Sequence, residues 1–149
     1  IKNGIIYGDY MTSYSVMAVK NDGTIYTPAQ GLMGKDLLAA GVKDTYNFGP
    51  VLIQNGEAQR PWAETEKYYP RTAVGMVKPN EYVLLVTDTG TYNGLNHWDM
   101  VNIFKSYGCT YAYNLDGGGS ATLYFNGKVM NKLIGNTQRP CADFLYFTR

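Results

Sequence analysis

The residues best placed for chemistry stand together at Asn114-Leu115-Asp116-Gly117-Gly118-Gly119-Ser120, between the strand-like runs Thr110 to Tyr113 and Ala121 to Phe125. Consecutive glycines remove the Cβ atoms that would hold a ligand away from the backbone. They also permit positive φ, so that successive amides can turn toward one point. A carboxylate beside such a turn suits an anionic ligand, with Asp116 within reach of a group held there. The same stretch also reads as a plain glycine-rich connection. Two well-known glycine loops are excluded: a Walker loop ends in Gly-Lys-Ser/Thr, and a dinucleotide fingerprint needs glycine where Thr122 stands.

The other candidates narrow quickly. There is one histidine, so a two-histidine metal site is excluded and a Ser-His-Asp triad would have to use His97. His97 falls in the first turn of a helix, where packing or solvation is the simpler account. Cys109 begins a strand with no histidine in view, and burial accounts for it. Carboxylates remain as the acid–base groups. Asp116 comes first. Asp88 comes second, because it closes the apolar run Val83-Leu84-Leu85-Val86 at a strand end, where sites gather. Asp88-Thr89-Gly90 reads equally as an Asx turn. Glu64 and Glu66 read as solvated.

Asn-Leu-Asp-Gly-Gly-Gly-Ser-Ala-Thr at 114 to 122 resembles the signature of the phosphodiester glycosidase family. Further matches follow in family order: Asn47-Phe48-Gly49-Pro50-Val51-Leu52 with Asn55-Gly56, then Pro70-Arg71-Thr72-Ala73-Val74-Gly75, the helix ending at Gly108, and Arg139-Pro140. The resemblance covers the chain from about Leu37 onward. It implies a hydrolase that cleaves the bond between a sugar anomeric carbon and a phosphodiester in glycan, exopolysaccharide or envelope polysaccharide metabolism, in an extracellular or cell-envelope setting. The partner would be a glycan or glycosyl-phosphodiester. No cofactor and no metal is implied, a divalent cation being left open. The alternative is a non-catalytic carbohydrate- or phosphoglycan-binding module on the same fold.

Joined to the residue chemistry, the resemblance gives Asp116, Asp88 and Arg71 as catalytic residues and Thr72, Asn114, Gly117, Gly118, Gly119, Ser120, Arg139 and Asn47 as substrate-binding ones. Arginine suits phosphate because its planar fork gives bidentate, charge-assisted hydrogen bonds. Arg71 and Arg139 fall at family-like positions; Arg60 lies in a loop and Arg149 is terminal. A departing phosphomonoester is a weak base, so neutralising its charge matters more than protonating it. Asp116 would act on the sugar side, as nucleophile or as base for water. Two departures stand out. The family's Asn-Gly-Gly-Phe-Phe-like segment does not precede these motifs, so the expectation is one domain over 1–149 that lacks it and has a more open pocket. Where Asp-Gly-Arg is usual, this chain has Asp88-Thr89-Gly90.

Elements must position these residues, and the sequence is rich in hairpin signals. Val16 to Lys20 turns at Asp22-Gly23 into Thr24 to Tyr26, Val51 to Gln54 turns at Asn55-Gly56, and Asn126-Gly127 returns the chain through Lys128 to Met130. A fourth hairpin joins Ala73 to Val77 with Tyr82 to Thr87 across Pro79-Asn80. Helices are few: Lys35 to Ala40, stopped by Gly41, and His97 to Tyr107, with Asn96 as N-cap, Asp99 in a capping-box place and Gly108 as terminator. Met100, Val101, Phe104 and Tyr107 recur at helical spacing and should face a sheet. The pattern predicts an α+β fold, a mixed, largely antiparallel sheet built from hairpins with two short-to-medium helices.

Composition bounds the rest. A chain of 149 residues suits one domain that buries roughly 68–70% of its unfolded surface. Its net charge of +1, with Lys and Arg scattered, argues against nucleic acid as a partner. No apolar run approaches the roughly 18–20 residues of a membrane span, and Ile1 to Tyr10 lacks the form of a signal peptide, so export would be encoded elsewhere. Cys109 and Cys141 leave pairing open, with burial the simpler reading. The 14 tyrosines suit half-buried strands and equally the faces of sugar rings.

Overall fold

The computed structural model describes residues 1–9, 14–59, 67–88 and 93–147; Arg60, Glu64, Glu66, Thr89, Gly90 and Arg149 lie outside the described residues. The strands are β1 (Val16–Lys20), β2 (Ile25–Tyr26), β3 (Val42–Asn47), β4 (Val51–Gln54), β5 (Glu57–Ala58), β6 (Thr72–Lys78), β7 (Glu81–Val86), β8 (Tyr111–Leu115), β9 (Tyr124–Phe125) and β10 (Lys128–Val129), with helices α1 (Gly34–Ala39) and α2 (His97–Ser106). The α+β class and the four hairpins are as the sequence predicts. Two of the turns show why. Asn55 and Gly56 have φ of 53° and 79°, and Asn126 and Gly127 have 47° and 81°, the paired positive φ that a two-residue turn needs to match strand twist.

Antiparallel pairing assembles a sheet of order β2-β1-β3 and a larger one of order β5-β4-β8-β6-β7. Strand alternation sorts their side chains into layers. Met17, Ile25 and Tyr46 of the smaller sheet meet Val74, Met76, Tyr111 and Tyr113 of the larger one. On its other side the larger sheet presents Ala73 and Ala112 to Met100, Val101 and Phe104 of α2. Ala18 and Val42 carry Leu37 of α1 on the outer face of the smaller sheet. Helix, sheet, sheet and helix are thus stacked, and burial of each Val, Leu, Ile, Phe or Met between them contributes about 1.5–3 kcal/mol.

The seat of α2 is fixed by a glycine. A Cβ on Gly75 would stand 2.5 Å from Phe104 Cδ1 and 2.7 Å from Cys109 Sγ, so only glycine lets the helix lie this close. Asn96 caps α2 as predicted: Asp99 N donates to Asn96 Oδ1 at 2.9 Å and Asn96 N donates to Asp99 Oδ2 at 3.3 Å. Residues 1–5 run along the outer edge of β3, with Gly4 N donating to Lys43 O at 2.8 Å and Thr45 N to Ile1 O at 3.0 Å. That pairing covers an edge that would otherwise offer free backbone groups.

Four expectations are corrected. Tyr107 is 63% exposed, because it is the C-cap of α2 and lies beyond the last turn that faces the sheet. The run from Ala121 pairs as a strand only at Tyr124–Phe125, since Gly118–Ser120 forms a single 3₁₀ turn first. Helix α1 begins at Gly34 rather than Lys35. Cys109 is buried, but Cys141 is exposed, and both are free thiols.

Candidate functional site

The sheet order brings the predicted residues to one end. Within β6, Thr72 pairs with Val86 of β7 on one side and Leu115 of β8 on the other. Arg71 therefore immediately precedes β6, Asp116 immediately follows β8, and Asp88 lies two residues beyond β7, all at the same end of the strands. The segment after β3 joins them: Gly49 N donates to Asn114 O at 3.1 Å and Asn114 N to Pro50 O at 3.0 Å. Asn47, at the end of β3, is exposed beside that connection.

The three glycines differ in what their missing Cβ atoms allow. A Cβ on Gly117 would come within 2.5 Å of Pro70 O, and Gly118 N donates to that same oxygen at 2.8 Å. Gly117 thus makes room for the protein's own backbone, where the loop leans on the residue before Arg71. Of the three, Gly118 alone takes positive φ, at +56°, with nothing within 4 Å of its Cβ position. Gly119 lies by Arg139: a Cβ there would stand 3.6 Å from Arg139 Cδ, an ordinary contact.

Asp116 is the hub of the loop. Its Oδ1 accepts from Gly117 N at 2.9 Å, and its Oδ2 accepts from Ser120 Oγ at 2.7 Å and from Arg139 Nη2 at 2.5 Å. Arg139 Nη2 also donates to Ser120 Oγ, which closes a triangle. The Asp116 and Arg139 side chains are 49% and 52% exposed, so the triangle faces solvent.

Arg71 is anchored inward. Its Nε donates to Leu95 O at 3.1 Å and its Nη2 to Lys67 O at 2.9 Å, and its guanidinium carbon sits 5.4 Å from the Tyr69 ring centroid, a cation–π distance. Asp88 Oδ2 accepts from Lys132 N at 2.8 Å and ties the segment after β10 to the end of β7. Asn114 is 2% exposed, and its Nδ2 donates to Gly49 O at 2.8 Å. Asn114 Oδ1 and Thr72 Oγ1 are buried without a hydrogen-bond partner among the described residues. By strand alternation they point to opposite faces of the sheet, Asn114 toward α2 and Thr72 toward the smaller sheet.

Sequence reasoning left His97 to packing or solvation, and it is packed: it is 6% exposed, and neither ring nitrogen has a partner among the described residues. Burial, and then the charge of Arg71, push its pKa down to about 4, so the imidazole is neutral at neutral pH. Phe104 rests on Gly75, and seven residues back along α2 is a rise of about 10 Å, which three residues of β6 also span. That places His97 level with Thr72, the residue next to Arg71. The signal was available: His97, Met100, Val101 and Phe104 fall at i, i+3, i+4 and i+7, one continuous buried stripe.

Among the described residues no group of three or more His, Cys, Asp and Glu could hold a metal ion, and no helix is long and apolar enough to cross a membrane. A cavity of about 240 Å³ opens at the opposite end of β6 and β8, lined in part by Thr27, Gln54, Asn55, Met76 and Tyr111, and touches none of the site residues.

Comparison with known proteins bears on the family and the fold. Residues 1–148 match the family model described as phosphodiester glycosidase. The chain is 28% identical over 156 residues to the SPbeta prophage-derived uncharacterized protein YomE of Bacillus subtilis (strain 168), an alignment that covers 97% of this chain and 24% of that protein. It is 43% identical over 58 residues to N-acetylglucosamine-1-phosphodiester alpha-N-acetylglucosaminidase of Mus musculus, covering 38% of this chain and 11% of the relative. Its fold is similar to the zebrafish catalytic domain of that enzyme, solved auto-inhibited by its pro-peptide, with a TM-score of 0.65 and 24% identity over 80% of this chain and 45% of the other. A hypothetical protein from Synechocystis gives a TM-score of 0.57 at 14% identity, over 87% of this chain and 33% of that one. The chain spans only about a quarter of YomE and a tenth of the mouse enzyme.

Proposed function

This chain belongs to the phosphodiester glycosidase family, and from that premise we propose that it hydrolyses a glycosyl-phosphodiester, in glycan or envelope polysaccharide metabolism outside the cytoplasm. The observation that carries the reading is the Asp116–Ser120–Arg139 triangle on the glycine turn. It sets a carboxylate and a guanidinium side by side at the solvent-facing end of a rigid sheet, one for each half of the substrate.

In the proposed reaction the bond between the anomeric carbon and the phosphate oxygen breaks, and the phosphomonoester leaves with the electron pair. Water supplies a hydroxyl to the anomeric carbon and releases a proton. Arg139 stabilises the charge that develops on the departing phosphate. Asp116 acts on the sugar side, as the nucleophile or as the base that takes the proton from water; the two differ in stereochemical outcome. Arg71, bound to two backbone carbonyls, holds the Lys67 and Leu95 segments in place and adds positive charge behind the loop. Thr72, Asn114 and Asn47 would border the sugar, and Asp88 would hold the neighbouring segment through Lys132.

Turnover of a panel of glycosyl-phosphodiesters by the purified chain, followed as released phosphomonoester, tests the proposal. Product release that disappears in Asp116→Asn supports it. Saturable binding without product would instead identify a phosphoglycan-binding module.

A further inference from the structure

The Asp116–Ser120–Arg139 triangle has a geometry that bears on which substrates can enter. Arg139 reaches both partners through the same nitrogen, Nη2. A guanidinium has two edges that grip an oxyanion with paired bonds, Nη1 with Nη2 and Nε with Nη2, and both edges run through that nitrogen. A phosphate held bidentately must therefore take a proton that Nη2 now gives to Asp116 or Ser120. Nothing rigid opposes the exchange. The side chains of Asp116 and Arg139 are about half exposed, and Arg139 belongs to no strand or helix.

We propose that this triangle is a latch: in the empty site Arg139 and Ser120 hold Asp116 Oδ2, and an anionic oxygen of a phosphodiester opens it by taking Arg139. Asp116 is then released toward the sugar only when an anion is bound. A neutral glycoside has no group that competes for the guanidinium, so it meets a carboxylate still held. The substrate assignment rests on the hydrolase reading above; the competition between Asp116 and phosphate does not.

A double-mutant cycle read by ³¹P NMR titration with inorganic phosphate tests the latch without requiring turnover. Asp116→Asn removes the internal competitor, so phosphate should bind about tenfold tighter than in wild type, in keeping with one charge-assisted hydrogen bond. Arg139→Gln should abolish binding, and the gain from Asp116→Asn should vanish in the Arg139→Gln background. Ser120→Ala should tighten phosphate binding by a smaller factor. A gain that persists without Arg139 would reduce the effect to a general field and overturn the latch, as would equal or weaker binding in Asp116→Asn, or no phosphate binding by either protein. Full coupling in the cycle with no turnover of any glycosyl-phosphodiester would leave the latch standing and remove the hydrolase reading.

Discussion

The two ends of β6 and β8 are built from the same strands yet differ in how their polar groups are satisfied. At the Met76 end Thr110 Oγ1 donates to Met76 O and Val77 O at 3.2 Å, Thr27 and Tyr111 share a hydroxyl bond of 2.7 Å, and Ile25 N donates to Met76 Sδ at 3.1 Å. At the Thr72 end Thr72 Oγ1, Asn114 Oδ1 and both nitrogens of His97 are buried and unpartnered among the described residues, while Asp116 and Arg139 face solvent. A fold can seal a strand end, and here it seals one. Buried polar groups cost free energy unless paired, so unpaired groups beside a charged loop favour this end for the proposed site. The cavity lies at the sealed end, and its neutral lining offers no charged group for the proposed chemistry.

The sharpest way to break this contrast is to remove the charge at Asp116. Asp116→Asn should lower turnover of a glycosyl-phosphodiester by on the order of 10³-fold, while the lost ion pair, being exposed, changes stability by no more than about 1 kcal/mol. Steady-state kinetics beside thermal melting separates the two. Wild-type turnover in the variant would return Asp116 to a structural role.

His97 offers the second test. Its pKa is about 4 in the folded chain, against about 6.5 in an unfolded one. Between those values the unfolded chain binds a proton that the folded chain does not. The contribution is therefore complete above about pH 6.5 and is lost as pH falls toward 4, a difference of about 3 kcal/mol. His97→Gln carries no such titration, so its stability should decline less than that of wild type over this window in urea unfolding at pH 7, 5.5 and 4. Parallel decline in both proteins would mean that His97 is protonated in the fold.

Gly117 and Gly118 divide the glycine turn by cause. Gly117→Ala places a methyl 2.5 Å from Pro70 O, an overpacking cost of about 1–3 kcal/mol, and should disturb the seat of Asp116 along with stability. Gly118 needs positive φ but has open space at +56°. Gly118→Asn, a residue that tolerates that region, should cost less than Gly117→Ala. The reverse order of melting temperatures would show that conformation, rather than contact with Pro70, sets the first glycine.

These residues also show what a sequence displays and what it hides. The hairpins were legible because Asn55-Gly56 and Asn126-Gly127 encode their turns locally, and α2 was legible because Asn96, Asp99 and Gly108 lie within its ends. The arrival of Asp116 beside Arg71 and Asp88 was not. It depends on β8 pairing with β6 across 35 to 43 residues of chain, which no local pattern states; the family resemblance supplied it in part for Arg71 and Asp116. The role of Gly117 was hidden for the same reason, since its reason for being glycine is an oxygen on Pro70. The sequence left packing and solvation both open for His97, because its burial comes from the sheet beneath α2.

The smallest expected effect lies at the cap of α2, and it tests whether the open end of the sheet tolerates local loosening. Asn96 Oδ1 accepts from Asp99 N at 2.9 Å, so Asn96→Ala leaves one first-turn amide without its partner, at a cost of about 0.5–2 kcal/mol. If the cap matters only to the helix, the melting temperature falls and turnover under native conditions stays within about twofold, since a fold that remains populated performs the same chemistry. The neighbouring geometry argues for a second consequence. Leu95 O, one residue before the cap, accepts from Arg71 Nε at 3.1 Å, and His97, one residue after it, is buried, which with the charge of Arg71 lowers its pKa. A frayed first turn would loosen the hold on Arg71 and the burial of His97 together. Asn96→Asp, which restores a capping oxygen, should recover stability. If turnover falls in Asn96→Ala by more than the folded fraction accounts for and returns in Asn96→Asp, the start of α2 is part of the wall that holds Arg71 in place.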